Sequence, residues 1–282
     1  MKRRNEGLRQ KLGFGVLLLA TLIVVLPVLA IVVLIIAKGW GALSWSFLFT
    51  MPRDGMRAGG IWPAIVGTFY LVFVSIGFAL PIGVAAAIYL SEYAKDNALT
   101  RTINLAIINL AGVSSVVYGL FGLSLFVVFL RFGVSIIAGA LTLGIMTLPV
   151  IITTTREALR SVPRSYREVS FSLGASHWQT VRHSVLPHAL PGILTGAILS
   201  VGRVAGETAP ILFTVAAFYL PNLPTSLSDQ AMALPYHLYV ITTQIPGIPE
   251  GFRFGTAFVL IGLVLVMNVT AAVIRSRFEK RK

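Results

Sequence analysis

Six apolar runs divide the chain, at residues 13–37, 65–90, 103–130, 134–154, 190–217 and 253–274. Each is close to or longer than the roughly 20 residues with which an α-helix crosses the hydrocarbon core of a bilayer. The pattern predicts an all-α integral membrane protein, a single domain over residues 1–282 with six transmembrane helices. The first run is too long for a signal-peptide core and lacks a convincing cleavage site, so it reads as a retained span. The polar connections differ in character. Residues 38–63 are Gly-rich and carry Trp40, Trp45 and Trp62, a residue type that favours the membrane interface. Residues 91–101 form a charged turn, and Arg131-Phe132-Gly133 is a short one. Residues 155–188 are polar and basic, whereas 218–250 hold no lysine or arginine, many prolines and a short helix predicted around Leu227 to Val240.

The fifth run breaks the apolar rule. Between Gly192 and Thr214 it carries Arg203 and Glu207, and each charge at that depth costs about 2.5–3.5 kcal/mol on insertion scales. Four residues apart, the two share one helical face. On an uninterrupted helix Gly192, Gly196, Ser200 and Thr214 fall on the same side, and Leu194, Ile198, Val201, Ala205 and Leu212 on the other. Pro210 has no N–H for the carbonyl of Gly206, which leaves an acceptor free beside Glu207. Arg203, Glu207, Ser200 and Thr214 are therefore candidates for lining a polar path. The competing reading is a buried ion pair that locks helices together.

Composition agrees with a membrane location: 56% of residues are hydrophobic and 12% charged, with a mean hydropathy of +0.85. The formal net charge of +13 needs no nucleic acid to explain it. Alternate polar segments, beginning with the N-terminal arm and ending with the C-terminal tail, hold 17 of the 23 lysines and arginines. That bias predicts both termini and the 155–188 loop in the cytoplasm. The chain has no cysteine, which excludes disulfides, thiolate metal sites and cysteine nucleophiles. It also lacks the G-x-x-x-x-G-K-[ST], H-E-x-x-H and G-x-S-x-G patterns. His177, His183 and His188 lie six and five apart, spacings that do not share a helical face. Transport fits this inventory better than catalysis. Within the 155–188 loop, Arg156 to Leu173 and Ala175 to Val185 read as two short helices joined at Gly174, where glycine can take the left-handed turn.

Glu168-Val-Ser-Phe-Ser-Leu-Gly174, nine residues and then Ser184-Val-Leu186-Pro187 resemble the E-A-A-x(3)-G-x(9)-I-x-L-P loop of ABC importer permeases. Val169, Ser170 and Ser184 depart from the usual alanines and isoleucine. Three further stretches resemble PstA-type permeases of phosphate-specific ABC importers: Gly60 to Thr68, Ala111 to Gly122 and Gly202 to Thr214. That family commonly has proline where this chain has Ser114. The resemblance implies a type I ABC importer permease in a bacterial or archaeal inner membrane. It also implies a PstC-like partner permease, two ATPase subunits and an extracytoplasmic phosphate-binding protein. ATP and magnesium belong to the ATPases and no cofactor to this chain, whose contacts are protein and membrane lipid. Glu168, Gly174, Leu186 and Pro187 take the ATPase-coupling role. The alternatives are an importer of sulfate or molybdate, a secondary transporter, and a scaffold that uses the Gly192/Gly196 and Gly202/Gly206 pairs for helix packing alone.

Overall fold

The first apolar run lies within one long helix, α1 (Lys2–Gly39), in a computed structural model that describes residues 2–220 and 222–279. Lys280, Arg281 and Lys282 of the basic tail lie outside the described residues. The connection that follows holds α2 (Trp45–Phe49), capped by the Ser44 hydroxyl, and a hairpin of β1 (Pro52–Arg53) with β2 (Ala58–Gly59). Helix α3 (Trp62–Ile88) has Pro63 in its first turn, where no N–H is needed, and ends in a π-helical turn at Tyr89–Tyr93.

The third run, expected as one span over 103–130, is broken. Helix α4 (Ala98–Ala111) and α5 (Ser115–Gly122), the latter extended by a π-helical segment to Phe129, meet at 106°. Ser114 is the pivot, with extended backbone at φ −62° and ψ 142°. Breaking a helix among apolar surroundings strands carbonyls. Here the Tyr118 hydroxyl donates to the carbonyl of Leu110 at 2.9 Å, and Val113 N–H to the same oxygen at 3.2 Å. The bend needs no proline.

Helix α6 (Ile136–Arg160) begins on the Ser135 hydroxyl, which accepts from Ala138 N–H. It continues six residues beyond the fourth run's predicted end at 154. Consequently the first loop helix starts later than expected, as α7 (Arg164–Ser172), after a break at Ser161-Val162-Pro163. The second, α8 (His177–Thr180), passes through a π-helical turn at Val181–Val185 straight into α9 (Leu186–Gly206). The second loop helix and the fifth span are thus one continuous helix, and Pro187 and Pro191 are carried inside it. The fifth run, expected unbroken over 190–217, instead stops at Gly206 and restarts as α10 (Ala209–Thr214).

The loop helix expected at 227–240 is α11 (Leu234–Thr243), with Pro235 in its first turn. Its predicted beginning is a turn instead, in which Thr225 N–H, Ser226 N–H and the Thr225 hydroxyl all donate to the Asp229 carboxylate. That turn is tied to the start of α6 by Ile136 N–H to Asp229 O and Ile137 N–H to Leu227 O. Helix α12 (Glu250–Glu279) closes the chain. Five helices among the described residues are long and apolar enough to cross a membrane, and the bent α4–α5 pair makes a sixth if taken as one broken span.

Helix α6 is the axis of the packing, flanked by α3 and α9. Ile136, Leu143, Met146, Ile151 and Leu159 of α6 are fully buried. Close approach to α9 rests on small residues: Gly192 lies on Ala158 and Gly196 on Thr154, with no room for a β-carbon at either. By contrast α1, α5 and the outer side of α12 leave large apolar side chains uncovered, as surfaces facing lipid or another subunit must.

Candidate functional site

Arg203 stands in the last turn of α9, and Glu207 just past its end in extended backbone at φ −74° and ψ 135°. The two meet nevertheless: Arg203 Nε donates to Glu207 Oε1 at 3.4 Å. Their side chains keep 34% and 18% of their surface, so the pair sits at an open boundary of the subunit. The helix break is local chemistry. Pro210 offers no N–H to the Gly206 carbonyl, and it supplies the first turn of α10 instead.

The break separates Thr214, on α10, from the rest of the face expected for this span. Gly192, Gly196 and Ser200 point into the seam with α6 rather than toward an opening. Ser200 is fully buried and its hydroxyl donates to Gly196 O at 2.9 Å. Thr214, on α10, is also fully buried; its hydroxyl donates to Pro210 O at 2.8 Å and its carbonyl accepts from Ser135 N–H. Of the four residues expected on a path, Arg203 and Glu207 reach a surface, and Ser200 and Thr214 are fully buried.

Behind the pair, α10 packs on α5. A β-carbon on Gly119 would stand 2.7 Å from Phe213 Cδ2, 3.0 Å from Pro210 Cα and 3.1 Å from Ala209 O. The stretches around Tyr118 and Pro210, some 90 residues apart in sequence, are therefore one structural unit. On the other side, Gly202 faces α12, where a β-carbon would sit 2.9 Å from Asn268 Oδ1. That amide oxygen is buried with no hydrogen-bond partner among the described residues. Motif reading misses Asn268, although a lone amide within an apolar run is itself a signal.

At the far end of α9 the polar loop is built to present a surface. Gly174 has φ +81°, open space around its α-carbon, and the paired bonds that close a helix: Gly174 N–H to Phe171 O and Ala175 N–H to Ser170 O. Ser176 and Gln179 then start α8 with a reciprocal capping box. The Ser170 and Thr180 hydroxyls, 2.9 Å apart, hold the two arms together. Outward, Glu168 is exposed, and with it Val169, Phe171, Leu173 and Trp178. Leu186 packs inward among Val162, Val181, Val185 and Ile193, while Pro187 remains at the surface. The three histidines do not converge. His183 and His188 each contact the carbonyl four residues back, and His177 contacts the carbonyl of Glu92.

Residues 66–282 match the family model described as the binding-protein-dependent transport system inner membrane component. The chain belongs to this family. It is therefore a multi-pass inner-membrane permease. It is 36% identical to the probable ABC transporter permease protein YqgI of Bacillus subtilis, over 95% of each chain. It is also 36% identical to the phosphate transport system permease protein PstA 1 of Mycobacterium tuberculosis, over 92% of this chain and 86% of that one. Among solved structures it shares the fold of a chain of a bacterial ABC transporter involved in the import of the acidic polysaccharide alginate. That match has a TM-score of 0.68 at 14% identity and covers 98% of this chain and 99% of the other. The architecture is that of type I ABC importer permeases.

In the permease two further polar contacts join distant segments, and neither carries a motif. Arg156 Nη1 of α6 donates to Asn104 Oδ1 of α4 at 2.6 Å. Arg167 of α7 grips Glu92 at the end of α3. Both pairs are too far apart in sequence for any spacing rule to reveal them.

Proposed function

We propose that this permease is the PstA-type subunit of an ATP-driven phosphate importer, with residues 1–282 as one transmembrane domain. A PstC-like permease covers the open boundary beside Arg203, and the translocation path runs between the two chains. Two ATPase subunits bind ATP and magnesium and dock on the loop at Glu168 and Gly174, whose pivot is seated by Leu186 and Pro187. An extracytoplasmic binding protein delivers phosphate at the opposite face. Both termini and the loop lie in the cytoplasm, in keeping with the lysine and arginine bias.

The observation that carries this reading is the state of Arg203. A cation placed within an apolar span, partly exposed at a subunit boundary and held by one long contact, is available to an oxyanion. A structural lock would be buried and bidentate, and this pair is neither. Glu207 serves as counter-ion while the path is empty, and the break between α9 and α10 frees it to move independently of the α9 helix. The deciding test is uptake of radiolabelled phosphate into proteoliposomes holding the complete importer. Arg203→Leu abolishes uptake and leaves complex yield unchanged; uptake at the wild-type rate in that variant overturns the assignment.

A further inference from the structure

We infer that Arg167 is the joint through which motion of helix α7 reaches the second span, and that Glu92 is its anchor. The inference rests on the permease reading and adds positioning residues that the loop motif does not contain.

Glu92 lies in the π-helical turn at Tyr89–Tyr93 that ends the helix begun at Trp62. Such turns are rare and recur at functional positions. Its side chain is only 6% exposed, and a carboxylate so enclosed requires a partner. Arg167 supplies one in bidentate form, Nη2 to Oε1 at 2.7 Å and Nε to Oε2 at 3.2 Å. The rest of the guanidinium is committed as well. Nη1 donates to Val162 O and Nη2 to Leu159 O, each at 3.0 Å, the carbonyls at and just past the end of α6. One planar group thus joins α7 to the ends of two spans.

The second arm of the loop grips the same turn. His177 Nε2 lies 3.0 Å from Glu92 O, and its ring packs edge-on against Tyr93 and stacks on Phe171. Glu168 and Val169, on the outward face of α7, make none of these contacts and stay exposed. A force on the outward face is therefore delivered to the end of α3 by a fork of fixed geometry. A lysine, with a single point of charge, cannot hold two carboxylate oxygens and two carbonyls at once.

The test uses the complete importer in proteoliposomes and reads two quantities, ATPase captured per permease and phosphate taken up per ATP hydrolysed. Arg167→Lys and Glu92→Gln keep the docking face, so capture stays at the wild-type level while uptake per ATP falls roughly tenfold. Because the natural chain has no cysteine, Glu92→Cys with Arg167→Cys can be bridged by a spacer-bearing bis-thiosulfonate. Bridging restores uptake per ATP and reduction abolishes it again. Unchanged uptake per ATP in both single variants overturns the inference. So does a loss of capture and uptake together at a constant ratio, the mark of a merely structural pair. A wild-type complex that captures no ATPase overturns the permease reading itself, and the joint with it.

Discussion

Arg203 reaches Glu207 across the end of its own helix, Nε to Oε1 at 3.4 Å, with the carboxylate held by backbone that is no longer helical. The pair therefore combines one residue fixed to α9 with one on a hinge. Arg203→Lys is expected to impair phosphate uptake by losing the planar fork. Glu207→Gln should alter rate or apparent affinity while assembly holds. If the pair were a lock, either single change would leave a buried charge unpaired at a cost of about 3–5 kcal/mol and lower the yield of complex. The double change Arg203→Leu with Glu207→Leu would then restore both yield and uptake. Measuring both across the set separates the readings, and we expect the double variant to assemble without transporting.

Gly174→Val places a β-branched residue at φ +81°. Nothing crowds the position, so the penalty is backbone strain alone, about 1–3 kcal/mol. The variant is expected to insert normally, since insertion depends on the spans, while binding-protein-stimulated ATP hydrolysis and phosphate uptake both fall. Wild-type uptake in this variant would reduce Gly174 to an ordinary loop residue.

His237 of α11 is fully buried, and neither ring nitrogen has a hydrogen-bond partner among the described residues. Burial holds its imidazole down to about 4, from an ordinary value of 6.5. The unfolded chain therefore binds a proton that the folded chain refuses. The contribution of His237 to stability is retained above pH 6.5 and lost as pH falls toward 4. Thermal unfolding of the detergent-solubilised protein between about pH 7 and pH 5 should show this decline, and His237→Leu should flatten it.

Orientation can be read with single cysteines in a chain that has none of its own. An impermeant thiol reagent added to intact cells is expected to label Ser226→Cys, in the turn before α11, and to spare Ser161→Cys, at the end of α6. The reverse pattern would invert the topology and place the α7–α8 loop out of reach of a cytosolic ATPase.

Hydrophobic length is sufficient to locate the spans, because the free energy of placing a segment in a bilayer is set by its own side chains. The turn at Gly174 is legible for a similar reason: a backbone at positive φ selects glycine locally. Arg203 and Glu207 stand out in the sequence itself, as charges within an apolar run. Only the tertiary structure decided where the third run breaks. Hydropathy carries no information on backbone direction, and a break survives where other segments satisfy the freed groups, as Tyr118 does for Leu110 O. It also decided which way α9 faces. Once Gly192 and Gly196 admit α6 at close range, Ser200 is turned into the packing seam, whatever face a helical wheel assigns it. The grip of Arg167 on Glu92, 75 residues away, depends on the ends of α3 and α6 meeting α7 at one place, and that convergence exists only in the packed bundle.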